Sequence, residues 1–318
     1  MGLNYVSGGG GGGGGFGWLR RVRTRQVLVL ACVVLVLSIA GIVWISRDDA
    51  QAYSFDTKWR RTEPDPKEIY LRKIPRVIWQ TVKSHKVPKL ASDAGESWTR
   101  LNPTYDRIAL DDSEVLDYVK RYYNETEFQL FKSMPVGVMK ADFFRYMVVY
   151  MHGGVYADAD TINLQTVDAW VNRDCEFVVA PEDNDAFFCQ WAFAAIPRHP
   201  ILKRLIELIF EQLANGPDYS NPHFVHAVTG PSIWTNAIRE VLEISEDEKL
   251  NPFILTDRAK ALTRDQGICW LTTEQLDRAL RNLSAHDNPE FNQVGWSNWF
   301  AEAGEVNKKT AFGASEEE

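Results

Sequence analysis

The stretch from Val138 to Thr161 constrains the fold more than any other part of the chain. Phe144, Met147, Val148 and Met151 fall at helical spacing, and Phe143, Tyr146 and Tyr150 form a second apolar stripe. A helix that is apolar around most of its circumference must be buried. This one, over about 138–151, runs into Gly153-Gly154, and Val155-Tyr156-Ala157 then reads as a brief strand. Asp142 and Arg145 sit three apart on the helix, after Lys140, so their charges must be paired or functionally engaged. If the strand continues, its side chains alternate and Asp158 and Asp160 project to the same side. Two carboxylates on one face repel unless a cation lies between them. Hard divalent ions such as Mg²⁺ take one or two carboxylates plus substrate phosphates, so the arrangement suits a metal–nucleotide site. The ordinary alternatives are an acidic turn for the triplet and a structural ion pair for Asp142 and Arg145.

Around this centre the pattern is that of an α/β domain. Ile74 to Thr81 is β-branched and apolar, a buried first strand, and Tyr105 to Leu110 is a second. Ser113 is placed to cap a helix running to about Arg121, and Glu125 to Lys132 reads as another. Glu176 to Ala180 and Gln190 to Ala195 read as strands, joined by the acidic loop Glu182-Asp183-Asn184-Asp185. Asp183 and Asp185 are candidates for acceptor contact or simply a solvated loop. Pro200 opens an amphipathic helix to Leu213, and a further helix spans Ile233 to Leu242. Strands alternating with helices predict a largely parallel sheet, with ligands beyond the strands' carboxyl ends, where Asp158 and Asp160 would sit.

The ends of the chain differ from this domain. Residues 8–15 are all glycine and predict a disordered tail, 1–26, carrying Arg20, Arg21, Arg23 and Arg25. Val27 to Ile45 then contains no charge over 19 residues, long enough for a transmembrane anchor. Arginines before it and Asp48-Asp49 after it orient the tail to the cytosol and the rest to a lumen. A cleaved signal peptide, ending near Ala50-Gln51-Ala52, is the competing reading, but the apolar core is too long for one. Residues 46–70 read as a stem, 71–300 as the catalytic domain, and 301–318 as a frayed acidic tail. Asn124-Glu125-Thr126 and Asn282-Leu283-Ser284 are glycosylation acceptor patterns at Asn124 and Asn282. Of the luminal cysteines, Cys175 and Cys189 are the more plausible disulfide pair, leaving Cys269.

Other chemistries are excluded or set aside. A net charge of −8 supplies no basic excess for nucleic acid. No Gly-x-x-x-x-Gly-Lys or Gly-x-Ser-x-Gly pattern is present, and no Gly-x-Gly-x-x-Gly pattern outside the glycine-rich stretch 8–17. Asp158-Ala159-Asp160-Thr161 superficially matches a phosphotransferase nucleophile motif, but Ile162 stands where that motif needs Thr or Val.

The run Lys140-Ala141-Asp142-Phe143-Phe144-Arg145-Tyr146, followed by His152-Gly153-Gly154-Val155-Tyr156-Ala157-Asp158-Ala159-Asp160-Thr161, resembles the Och1-like glycosyltransferases with a DXD sugar-binding region. The opening strand at 74–81, Ser97-Trp98 through Asn102-Pro103, Phe188-Cys189-Gln190-Trp191, Pro197-Arg198-His199-Pro200 and Thr229-Gly230-Pro231 resemble further blocks in the same order. The resemblance implies a GT-A fold and a Golgi enzyme, a single-pass membrane protein using Mn²⁺ (or Mg²⁺) and GDP-mannose to extend a glycan with retention. It implies Asp160 and Asp158 at the metal, Asp158 also at the ribose, and Asp142 and Arg145 on the donor sugar and phosphate. Trp79 would lie against the base, His286 would be a third metal ligand, and Trp296 in Gly295-Trp296-Ser297 would close over the diphosphate. No catalytic nucleophile is identified. Two rivals keep part of this picture. One is a hexosyltransferase acting on the glycolipid inositol phosphoceramide, and the other is a silent, membrane-anchored sugar-binding protein.

Overall fold

In the computed structural model, the described residues are 72–182, 186–283 and 299–313. The expected cytosolic tail, membrane anchor and stem all lie outside them, as do Asp183, Asp185, His286 and Trp296. Among the described residues no helix is long and apolar enough to cross a membrane.

The expected first strand forms as β1, Val77–Val82, with only Thr81 less than buried. It pairs in parallel with β2, Asp106–Asp111, on one side and β3, Gly154–Ala157, on the other. Beyond β3 come β6, Ala192–Ala195, then β5, Phe177–Val179, and β7, Ile268–Trp270, giving the order β2-β1-β3-β6-β5-β7. Strand β6 is antiparallel to both neighbours, while β5 and β7 are parallel. Five strands therefore share one direction, and a single reversed strand makes the sheet mixed. The short β4, Thr161–Asn163, leaves this sheet and pairs with β8, Leu280–Asn282.

Strand alternation sorts the core into two layers. Val77, Trp79, Tyr156, Phe177, Val179 and Phe193 face one layer. That layer is built on the helices α4, Gly137–His152, α6, Pro200–Asn215, and α8, Pro231–Leu242. Ile78, Val155, Ala157, Val178 and Ala194 face the other, with Trp98, Val167, Trp170 and Leu276. Those four come from α1, Lys89–Leu101, α5, Val167–Trp170, and α10, Thr273–Ala279. The shorter helices α2, Asp112–Tyr122, α3, Glu125–Ser133, α7, Phe224–Val228, and α9, Asp257–Asp265, complete the domain.

Several expectations are corrected. Asp111, not Ser113, caps α2: its side chain accepts from the Ser113 and Glu114 amides, and Glu114 returns a bond to the Asp111 amide. The disulfide joins Cys175 to Cys269, whereas Cys189 is a buried free thiol. The sheet order explains this, because β7 lies beside β5 and brings Cys269 within 5.7 Å of Cys175 between Cα atoms. The segment read as a frayed tail contains α11, Trp299–Gly313. Ala303 is buried, Val306 packs on the main core, and the Asn307 amide donates to the Tyr219 and Asn221 carbonyls. Positions 303, 306 and 307 share one helix face, so small and polar residues suffice to dock it.

Candidate functional site

Helix α4 is buried nearly all round, as its composition requires, and it ends on glycines for a steric reason. Gly153 has φ +67° and Gly154 φ +106°, a region L side chains rarely adopt. A Cβ on Gly153 would lie 2.7 Å from Pro197 Cδ, and one on Gly154 2.6 Å from the Val77 carbonyl. The double glycine thus turns the chain abruptly from α4 into β3, so that the helix and the strand end meet.

Their meeting point is polar. The Arg145 guanidinium lies 2.9 Å from Asp142 Oδ1 and 3.2 Å from Asp158 Oδ1, bridging the helix carboxylate to the first carboxylate of the triplet. It also donates to the Gln190 carbonyl and stands 4.9 Å over the Tyr156 ring, a cation–π contact. The Tyr156 hydroxyl donates to Asp158 Oδ1 at 2.9 Å and lies 3.1 Å from Thr81 Oγ1. On the helix side, the Gln190 amide and the Thr229 hydroxyl each reach Asp142 at 3.4 Å. Tyr146, one residue past Arg145, places its hydroxyl between the Gln190 side chain and the Thr229 carbonyl.

Burial dominates the electrostatics. It pushes the Asp142 carboxyl up to about 7, against the opposing pull of Arg145. It also raises Asp158, again opposed by Arg145 and by the Tyr156 hydroxyl. Burial works against the Arg145 charge too, but Asp158, Tyr156 and Asp142 outweigh it and hold the guanidinium protonated. Two carboxylates, Asp142 and Asp158, share the one guanidinium of Arg145. Arg145 Nε and Thr161 Oγ1 are buried without a partner among the described residues. Two carboxylates sharing one guanidinium, with orphaned polar atoms beside the triplet, fit a divalent cation with an anionic ligand.

The triplet itself is not extended. Strand β3 ends at Ala157, and Asp158 to Asp160 form a turn before β4, so strand alternation does not govern these side chains. Backbone bonds fix the turn instead. The Asp158 amide donates to the Trp191 carbonyl, the Thr161 amide to the Asp158 carbonyl, and the Leu283 amide to the Asp160 carbonyl.

Trp79 is a core residue, 1 % exposed, with its indole N–H donating to the Gly153 carbonyl and its ring against His152. No face of it is open to a base; it holds the glycine turn. Asn124 is exposed and caps α3 through its side-chain oxygen, which accepts from the Glu127 amide. Asn282, by contrast, lies in β8 opposite Thr161, next to the triplet. Gln190, Thr229 and Tyr156 were present in the recognised sequence blocks but carried no assigned role. The signal that could have singled them out is polarity in otherwise apolar stretches, at positions buried for Tyr156 and Thr229 and half-buried for Gln190.

Two other features compete for attention. A cleft of about 800 Å³ is lined by Arg72, Arg76, Asp168, Trp170, Trp270 and Arg278, among others. Its cations are largely engaged: Arg72 bonds Asp168, Tyr105 and the Val171 carbonyl, and Arg278 bonds Glu274. The triplet does not line it. His85, Asp111 and Glu114 also converge closely enough to hold a metal ion. The helix cap accounts for this group, however, since Glu114 bonds both the Asp111 amide and His85.

Residues 88–177 match the family described as glycosyltransferase sugar-binding region containing DXD motif, which bears out the resemblance read in the sequence. The chain is 33% identical over 201 residues to the initiation-specific alpha-1,6-mannosyltransferase of Schizosaccharomyces pombe, covering 54% of this chain and 50% of that protein. The Candida albicans protein of the same name is 26% identical over 261 residues, covering 70% and 67%. Inositol phosphoceramide mannosyltransferase 1 of Schizosaccharomyces pombe is 30% identical over 139 residues, covering 43% of each. The match thus spans only about half the length of the first of these relatives. A solved structure titled PaToxG Glycosyltransferase aligns with a TM-score of 0.45 at 15% identity, covering 85% of this chain and 94% of that one, a likeness from which nothing further follows.

Proposed function

We propose, from the match of residues 88–177 to the glycosyltransferase sugar-binding region containing DXD motif, that the chain transfers mannose from GDP-mannose to a glycan acceptor, with retention. The observation that carries this reading is the Arg145 bridge between Asp142 and Asp158, which makes α4 and the triplet one unit. The mixed sheet, with the triplet at the carboxyl end of β3, supports a GT-A arrangement.

Asp160 and Asp158 would hold Mn²⁺ or Mg²⁺, with His286 as a third ligand; when bound, such a cation neutralises a diphosphate leaving group. Asp142 accepts hydroxyls of the donor sugar, and Arg145 offers its guanidinium to the phosphates. Burial sharpens both interactions by excluding water. Trp296 closes over the diphosphate. Gln190 and Thr229 hold the Asp142 carboxylate in place for this task. The Cys175–Cys269 disulfide supports an oxidising compartment, in keeping with a Golgi lumen and an anchor at 27–45.

The test is nucleotide release from a panel of GDP- and UDP-sugars with Mn²⁺. GDP should appear from GDP-mannose, and both chelation and Asp160→Ala should stop it. Turnover of UDP-sugars alone would sink the mannosyl assignment. A second reading, mannose transfer to inositol phosphoceramide, is favoured by the similarity to the transferase of that name. Supplying both acceptor types separates the two.

A further inference from the structure

Parallel pairing between β1 and β3 runs through Ile78 with Val155 and Trp79 with Tyr156. One step further on, the partnership continues by a side chain: the Gln80 amide Nε2 donates to the Asp158 carbonyl at 3.2 Å. Gln80 is completely buried, and its other end is also taken, because Arg107 Nε donates to Gln80 Oε1 at 2.6 Å. A guanidinium N–H only donates, so Arg107 fixes which end of the amide faces it and leaves the NH₂ group to face Asp158. Arg107 reaches this position because α1 carries no side chain at Gly95. A Cβ there would meet the guanidinium at 2.4 Å. The path Gly95, Arg107, Gln80, Asp158 crosses three elements and ends on the backbone of the triplet. On the opposite side the Asp158 amide is held by the Trp191 carbonyl.

We propose that Gln80 is a positioning residue for the donor site: its amide, oriented by Arg107, latches the Asp158 peptide to β1 and sets where the carboxylates of the triplet point. This rests on the reading of Asp158 and Asp160 as the metal–donor site. Gln80 touches neither metal nor sugar. It acts through the turn, in the way that groups behind a metal ligand orient it.

Gln80→Met keeps the volume and removes both polar ends, and Arg107→Met removes the orienting donor. Two readouts on the full chain decide the matter. Hydrogen exchange should quicken at least tenfold in peptides covering 157–163 of Gln80→Met, with protection in α4 and β6 unchanged. Mn²⁺ affinity, read by the electron paramagnetic resonance of the free ion, should weaken about tenfold, the order expected from one lost buried hydrogen bond. Arg107→Met should show a smaller loss, and the double variant no more than Gln80→Met alone, because Arg107 acts through Gln80. Gly95→Ala should reproduce the Arg107→Met effect. Uniformly faster exchange across the sheet, or unchanged exchange at 157–163, would overturn the proposal. Wild-type Mn²⁺ binding by Asp160→Ala would instead overturn the donor-site reading, and the exchange result would still decide the role of Gln80.

Discussion

Two groups of charged side chains stand at the carboxyl ends of strands β3 and β2, either side of β1, and they are built in opposite ways. Around Asp158, the carboxylates and Arg145 are mostly buried and gather partners from α4, β3, the 188–191 segment and Thr229. Around Asp111, the group is half open to water, with His85 58% exposed, and its bonds lie mostly within one helix turn. The second group finishes a helix end that would otherwise leave amides unpaired. The first finishes nothing local. Its charges incur a desolvation cost, which accords with the donor site proposed above.

The contrast can be broken by mutation. Arg145→Ala strips the cation from two buried carboxylates and should cost about 3–5 kcal/mol in urea unfolding, with donor turnover lost. A loss under 1 kcal/mol would mean that water already reaches these carboxylates. Asp111→Ala removes a helix cap and should cost about 1 kcal/mol while leaving turnover at the wild-type level. His85→Ala should fall within about 0.5 kcal/mol, as exposed pairs do.

Protons offer a subtler version of the same contrast. His199 is buried in its neutral form: Nε2 donates to the Gln266 carbonyl and Nδ1 accepts the Ile201 amide at the start of α6. Burial holds its pKa below the ordinary value. The unfolded chain therefore takes up this proton first as pH falls, and the contribution of His199 to stability declines once the pH drops below about 6.5. The test is the difference in urea midpoint between wild type and His199→Asn, which should shrink between pH 7 and 5.5 as His199 loses its contribution, while the raised Asp142 carboxyl acts in the opposite direction in both proteins. A residual slope is expected from His226, whose pKa burial also lowers.

Much of the fold was legible in the sequence wherever apolar periodicity was strong. Strands β1, β2, β5 and β6 and helices α3, α4, α6 and α8 fall close to their expected spans. Strands of three residues such as β7 and β8 carry too little pattern to read, and missing β7 is what misdirected the disulfide. Helix α11 was missed because its docking face uses Ala303 and Asn307, which read as tail composition. In the site, the pairing of Asp142 with Arg145 followed from their spacing on a buried helix. The bridge from Arg145 to Asp158 did not, since it depends on how sharply Gly153 and Gly154 turn the chain. Trp79 illustrates the reverse error: an aromatic in a recognised block reads equally as ligand platform or core, and only its satisfied N–H decides for core.

The bond between Cys175 and Cys269 closes a covalent ring around a separation of 94 residues. Gln190 and Thr229, the two side chains that hold Asp142, both ride on that ring, whereas Asp142, Arg145 and Asp158 lie outside it. Half of the site is therefore tethered to the other half through a redox-sensitive clasp. A single protease cut within the ring leaves the pieces joined until a thiol releases them, and a cell compartment that keeps thiols reduced gives the site no such clasp while it folds.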